Sequence, residues 1–267
     1  MRKVTIYLGF DYRERLAHDV ARLSILRHTD PKFCRIVPLE IDRELVAPLL
    51  QRPIEIRDGQ MWDVRSDAPQ STEFAISRFL VPFLQKHKGW AAFMDCDIVV
   101  QADVQELFAL ADPKYAVMVV KHDYQPAETA KMDNCIQTAY PRKNWSSVCL
   151  WNCEHPANKK LTLEMVNNLP GRDLHRFCWL EDTEIGTLPA EWNHLVGAAP
   201  MGADAAKILH YTLGGPWFPG WAGGPMDDAW LKECAACGLT RKRGALPGKS
   251  TKEATSKSGT PASGPAA

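Results

Sequence analysis

Strand and helix alternate from the first residues onward, and this constrains the fold more than any other feature of the chain. Val4 to Gly9 is a short β-branched and aromatic run that ends in Gly9-Phe10-Asp11. From about Glu14 to His28, Leu16, Val20, Leu23 and Leu26 recur at helical spacing. Phe33 to Leu39 returns to a strand-like run. Two strands joined by a helix predict a parallel sheet with a crossover helix, and so an α/β domain.

The rest of the chain fits that class. Ser71 or Thr72 can cap a helix whose apolar residues (Phe74, Ile76, Phe79, Leu80, Phe83, Leu84) face more than one side, which predicts burial, with a kink at Pro82. Trp90 to Met94 reads as a strand, Val104 to Leu110 as a helix, and Tyr115 to Val120 and Ser147 to Trp151 as further strands. Residues 158–168 read as a helix and Lys207 to Leu209 as a late strand. Residues 53–70, rich in Asp, Arg and Pro, read as loop, as does the Gly/Pro/Trp-rich stretch from Gly214 to Pro225. From Arg241 to Ala267 large apolar residues almost vanish, which divides the chain into a folded domain over 1–240 and a disordered tail over 241–267.

A chain of 267 residues buries enough core to fold without disulfide or metal support. No segment reaches the roughly 18 apolar residues of a membrane span. Asp11, Arg13, Glu14 and Arg15 cut the N-terminal apolar run too short for a secretory signal, so a cytoplasmic location is expected. The eight cysteines form no small-domain framework, and Cys234-x-x-Cys237 lacks a second ligand pair at zinc spacing.

Asp95-Cys96-Asp97 directly follows the apolar run of Trp90 to Met94. Residues two apart in an extended segment face the same side, and the preceding strand puts them at the carboxyl edge of the sheet, where open α/β sheets bind ligands. Two carboxylates held together there repel each other unless a cation lies between them, and hard oxygen ligands suit Mg²⁺ or Mn²⁺. His210 ends a second apolar run and is followed at once by Gly214-Gly215-Pro216-Trp217. A turn of that kind can offer backbone N–H groups to phosphate oxygens.

Asp95-Cys96-Asp97 after an apolar strand, Ser77-Arg78 on the helix before it, and the late His210…Gly-Pro-Trp217 resemble a GT-A fold glycosyltransferase. The nearest likeness is to glycosyltransferase family 8, which includes glycogenin and the bacterial lipopolysaccharide galactosyltransferases. It runs in order over most of residues 4–217. It implies a mixed, mostly parallel central sheet flanked by helices and transfer of a sugar from a UDP-sugar with retention at the anomeric carbon. It also implies Mn²⁺ (or Mg²⁺) on the diphosphate. Carried over, Asp95, Asp97 and His210 would ligate the metal. Gly9, Phe10 and Asp11 would line the nucleotide, with Asp11 reading the uracil edge. Arg78 would reach the donor, Ser146 and Ser147 would line the sugar pocket, and Gly214 and Gly215 would lie beside the diphosphate. Glu181 and Asp182 fall where the family has an Asp-Gln pair at the anomeric carbon, which marks them as catalytic. Trp192-Asn193 resembles a structural turn of the family. A Lys usually precedes the late Pro-Trp; here Gly215 stands in its place.

Two other readings share much of this sequence: a sugar-nucleotide binding protein that has lost catalysis, and a nucleotidyltransferase on a related fold. The second normally carries a Gly-rich, basic loop after the first strand, and Gly9-Phe10-Asp11-Tyr12-Arg13 has one glycine there. Trp217, Trp221 and Trp230 read either as a lid or acceptor platform or as packing for the C-terminal segment. Formal net charge is zero, which excludes a nucleic-acid binder working through bulk positive charge. That zero is a cancellation. Residues 241–267 hold six Lys/Arg and one acid, for a net of +5, while the remainder has 26 basic and 31 acidic residues, a net of −5. The resemblance implies a nucleotide-sugar and an acceptor of unspecified kind, glycan or lipid-linked, as partners, and the basic tail adds an expected peripheral membrane contact.

Overall fold

The computed structural model describes residues 3–122, 142, 144–198, 201–218 and 220–240. The tail assigned to residues 241–267 lies outside them. In chain order the elements are β1 Val4–Gly9, α1 Arg15–His28, β2 Cys34–Leu39, β3 Ile54–Arg57, β4 Gln60–Asp63, β5 Ala68–Pro69, α2 Val81–Leu84, β6 Trp90–Met94, β7 Ile98–Val100 and α3 Val104–Ala109. They continue with β8 Val117–Val119, β9 Val148–Asn152, α4 Leu163–Asn168, α5 Gly171–His175, β10 Ile185–Thr187, β11 His194–Leu195, β12 Ile208–His210 and α6 Asp227–Ala236.

Six strands form the main sheet in the order β10-β8-β9-β6-β1-β2. β2, β1 and β6 pair in parallel, as do β10 and β8, and β9 alone runs against its neighbours. Period-two alternation divides its side chains between two layers. Tyr7, Phe93, Cys149 and Trp151 join Phe79, Phe177 and Trp179 on one face. Ile6, Leu8, Ala92, Met94, Val148 and Leu150 join Ile25, Leu107 and Trp192 on the other. A smaller sheet, β11-β12-β7, continues from the carboxyl end of β6. Against it, Val20 of α1 and Trp230 of α6 pack with Leu209, Tyr211 and Trp217.

Three expectations need correction. Residues 53–70 are not loop but an antiparallel meander, β3-β4-β5. Its first turn is Asp58-Gly59, both at positive φ (50° and 78°), the backbone of a tight hairpin turn that favours Asp-Gly. The segment from Thr72 is not one helix: it runs through turns and a 3₁₀ stretch, Ser77–Leu80, into the four residues of α2. Pro82 sits in the first turn of α2, where a missing N–H is no loss, so it opens a helix instead of kinking one. Likewise 158–168 divides into a 3₁₀ turn, Pro156–Lys159, and α4, whose Thr162 side chain caps Met165 N. The expected burial from Phe74 through Val81 holds. Among the described residues no helix is long and apolar enough to cross a membrane.

Candidate functional site

Three backbone contacts set the site. Beyond β6, Asp95 N donates to Ser147 O at 2.9 Å, at the start of β9. Across the smaller sheet His210 pairs with Ile98, and Tyr211 N donates to Asp97 O at 2.9 Å. Two sheets therefore meet at the Asp-Cys-Asp link, with His210 beside Asp97. Cys96, between the aspartates, faces the core and is fully buried. One ligand atom each from Asp95, Asp97 and His210 lies within 4.8 Å of the others. His210 Nε2 is 3.1 Å from Asp97 Oδ1 and 3.7 Å from Asp95 Oδ2.

Residues behind this set fix its chemistry. His210 is buried, and its Nδ1 lies 2.8 Å from Asn193 Oδ1. Asn193 Nδ2 donates to Ser147 Oγ at 2.9 Å, and that hydroxyl donates to Asn144 O at 2.7 Å. The chain of donors leaves Asn193 Oδ1 as the acceptor, so His210 carries its proton on Nδ1 and turns the Nε2 lone pair toward the two carboxylates. Such a convergence is eased by positive charge: Arg78 supplies some at Asp95, and a proton or a metal ion between the groups would supply the rest. Two carboxylate oxygens plus an imidazole nitrogen with its tautomer held from behind form a set that fits a divalent cation.

Arg78 is buried at the same edge. Its Nη1 lies 2.8 Å from Asp95 Oδ1 and donates to Ser146 O at 2.9 Å, while its Nε donates to Ala75 O at 2.9 Å. The guanidinium also lies 4.7 Å from the centre of the Phe93 ring. Arg78 thus ties the 3₁₀ stretch to β6 and β9 and holds one aspartate in place.

Other expected site residues are placed as follows. Asp11 is buried at the end of β1 and takes Arg13 N and Nε on one oxygen; Arg13 Nη2 and Glu73 N bind the other. Gly9 is a close-approach glycine, since a Cβ there would lie 2.6 Å from the Phe74 ring. Phe10 is buried edge-on against His18. Ser146 Oγ lies 2.7 Å from His175 Nδ1. Gly214 N donates to Tyr211 O at 2.9 Å, which closes a turn. At Gly215 a Cβ would stand 2.2 Å from the Trp217 ring, a physical reason why no lysine occupies the position. Trp217 and Trp230, with ring centres 5.4 Å apart, pack the C-terminal segment, while Trp221 is exposed.

Glu181 and Asp182 are not among the three residues of the cluster. They precede β10, whose first residue Ile185 pairs with Val117 of β8. Glu181 caps a 3₁₀ turn, and the exposed Asp182 pairs with Arg142. Cys234 and Cys237 are free thiols on and just after α6, and burial raises both pKa values.

Two neighbours escaped the sequence reading. Glu14 is 1% exposed, and neither carboxyl oxygen has a hydrogen-bond partner. Burial first, then the charges of Asp97, Asp11 and Asp95, push its pKa well above the usual range against the opposing pull of Arg13. His122, just beyond β8, is pulled down to about 4 by burial and then by His210 and His194. Neither residue belongs to a motif. Only the fold reveals that they sit within the field of the Asp-Asp-His set.

No family model matches the chain. Protein CDI of Arabidopsis thaliana is 46% identical over 232 residues, covering 85% of each chain. Among solved structures, the bifunctional glycosyltransferase WbbM superposes with a TM-score of 0.59 at 17% identity, over 87% of this chain and 50% of WbbM. The present chain thus spans about half of that protein. The galactosyltransferase LgtC, solved with donor and acceptor sugar analogues, gives a TM-score of 0.51 at 12% identity, over 87% of this chain and 96% of LgtC. These likenesses establish the GT-A glycosyltransferase fold, in agreement with the motif resemblance. The chain belongs to the family of Arabidopsis Protein CDI, on a GT-A fold.

Proposed function

We propose that this chain is a metal-dependent glycosyltransferase that takes a nucleotide-sugar donor, a UDP-sugar, and transfers the sugar to a glycan acceptor with retention. The observation that carries this reading is the Asp95–Asp97–His210 set at the carboxyl edge of a GT-A sheet, with the His210 tautomer fixed by Asn193. A bound Mn²⁺ or Mg²⁺ would supply positive charge for the diphosphate leaving group. Asp95, Asp97 and His210 Nε2 would hold that ion, Arg78 keeps Asp95 oriented, and Asn193 keeps the Nε2 lone pair available. Asp11 and the residues around it are assigned to the nucleoside, and Ser146 and Ser147 to the sugar side. Glu181 and Asp182 are assigned to the anomeric centre, a role that requires Asp182 to exchange Arg142 for the donor. Cytoplasmic location and contact of the basic tail with an anionic membrane face belong to this proposal and rest on the sequence alone.

A second reading has a specific observation in its favour. Trp217 fills the space where a lysine would stand at 215, and the Gly214 N–H is spent on a turn, so two groups suited to the departing diphosphate are absent. A protein that binds the sugar nucleotide without turning it over would tolerate this. Titration of UDP with and without Mn²⁺, followed by a UDP-release assay over a panel of UDP-sugars, separates the two. The glycosyltransferase reading expects Mn²⁺-dependent UDP binding and release of UDP from at least one donor. It also expects Asp97→Asn to abolish the metal dependence. UDP affinity indifferent to Mn²⁺ and to Asp97→Asn removes the site assignment; binding without release selects the second reading.

A further inference from the structure

The β3-β4-β5 meander ends on one side in an open strand. Among the described residues β3 pairs with β4 alone, and all four of its residues, Ile54 to Arg57, are exposed. Two backbone contacts show which of its polar groups point outward. Val64 N donates to Pro53 O at 3.2 Å, and Met61 O, opposite Ile56, turns away to take Gln70 N at 2.8 Å, just beyond β5. Bonded residues alternate along an antiparallel ladder, so Pro53, Glu55 and Arg57 face β4, while Ile54 and Ile56 present N–H and C=O groups to the open side. Side chains alternate as well. Ile54 and Ile56 lie on one face with Met61, and Glu55 and Arg57 on the other with Trp62. Ile56 is 69% exposed, the most exposed large apolar side chain among the described residues. An edge with outward backbone groups and an apolar stripe is a template for another strand.

The order of charges in that strand selects its partner. Ile54-Glu55-Ile56-Arg57 carries opposite charges two residues apart, which makes it complementary to a second copy of itself running antiparallel. With the two-fold axis at Ile56, the two Ile56 residues exchange both backbone bonds, and Glu55 of each copy faces Arg57 of the other. An axis at Glu55 or at Arg57 would set like charges opposite each other, and an axis at Ile54 would set Glu55 against Pro53. Charge therefore favours one register. In the single chain Arg57 Nη2 lies 2.8 Å from Glu55 Oε2, with both side chains exposed, so the same two groups can turn from their own strand to the copy. The axis at Ile56 also brings the two Ile56 side chains side by side and takes both out of water. A four-residue strand is only about 13 Å long. The contact stays below the roughly 1,000 Å² of a stable interface, so the association is weak and depends on concentration.

We propose that β3 is a docking edge for a second copy of this chain, joined antiparallel through β3 with the two-fold axis at Ile56. The dimer is independent of the glycosyltransferase reading, because no residue of the meander belongs to the Asp95–Asp97–His210 set. Sedimentation equilibrium of the full chain at low salt, with loadings from micromolar to millimolar, tests it. The expected result is an average mass that climbs from one chain toward two as loading rises. Glu55→Arg and Arg57→Glu should each weaken association by about tenfold or more, because each sets like charges across both symmetric pairs. An equimolar mixture of these two variants should recover it, since a doubly basic strand then faces a doubly acidic one. Ile56→Lys should weaken it as well, and remains decisive if a charge variant fails to fold. A mass of one chain at every loading overturns the proposal. So does a dimer that Glu55→Arg and Ile56→Lys leave unchanged, because the contact then lies on another face. Folded charge variants that stay apart when mixed overturn it through the register. A chain ending at residue 240 that dimerises where the full chain does not overturns it too, because the tail is then the occupant of the edge.

Discussion

Asn193 is the residue on which the chemistry of the site turns, although it would touch neither metal nor donor. Its Oδ1 is the acceptor that holds the His210 proton on Nδ1. Asn193→Leu removes that acceptor and also the donor to Ser147 Oγ. We expect Mn²⁺ affinity, measured by calorimetry, to fall by about 10–100-fold, as for other partners behind a metal-ligating histidine. The variant should also lose about 1–3 kcal/mol of stability from the orphaned buried groups. Another single residue carries a pH signature. His18 is buried against Phe10, and burial lowers its pKa despite the Asp19 carboxylate 3.5 Å away. A histidine whose folded pKa is depressed contributes stability above the unfolded value of 6.5 and loses it as pH falls toward the folded one. His18→Leu should therefore show a smaller drop in melting temperature between pH 8 and pH 5.5 than the parent chain. An equal drop would rule out His18 as a source of the slope. Asp95 and Asp97 were legible in the sequence because an apolar run and a short spacing announce a sheet edge, and His210 joined them through the family resemblance. Asn193 was legible only as part of a turn, and Glu14 and His122 not at all, because their importance comes from partners that only the fold brings near.

At the scale of elements, the strands that pair in the main sheet were legible wherever a continuous apolar run made both faces buried, as in β1, β6 and β9. The meander was not, since β3 is exposed along its whole length and offers no apolar run. Its signal lay in Asp58-Gly59, two residues whose backbone both take positive φ. Gly59 has open space around it, so a substitution there tests backbone strain free of steric clash. Gly59→Ala is expected to cost about 1–2 kcal/mol, read from urea unfolding. Unchanged Mn²⁺ binding is the accompanying outcome, since the hairpin contributes no residue to the Asp95–Asp97–His210 set. The 3₁₀ stretch was misread as a helix for a related reason. Apolar residues from Phe74 to Leu84 face several sides, and an all-round apolar run has no period from which to read a helix. Buried Arg78 provides a tertiary anchor there through the Ala75 and Ser146 carbonyls and Asp95.

The whole molecule separates binding chemistry from charge balance. Among the described residues, the buried clusters and the hydrophobics packed on them lie between Val4 and Leu239. The electrostatics are different, because the body has a net charge of −5 and the tail +5 by sequence. A chain ending at residue 240 should therefore keep its melting temperature within about 2 °C, less than the shift expected from a 1 kcal/mol loss. It should also keep its Mn²⁺ affinity at the Asp95–Asp97–His210 set. Its behaviour toward anionic vesicles should change. If the tail supplies membrane contact, the full chain co-sediments with phosphatidylserine vesicles at low salt and releases as salt rises, because contacts of this kind are screened within a Debye length. The truncated chain, acidic overall, should stay in the supernatant throughout. Equal sedimentation of the two chains would leave the basic tail without a surface role, and a lowered melting temperature would place part of the fold beyond residue 240.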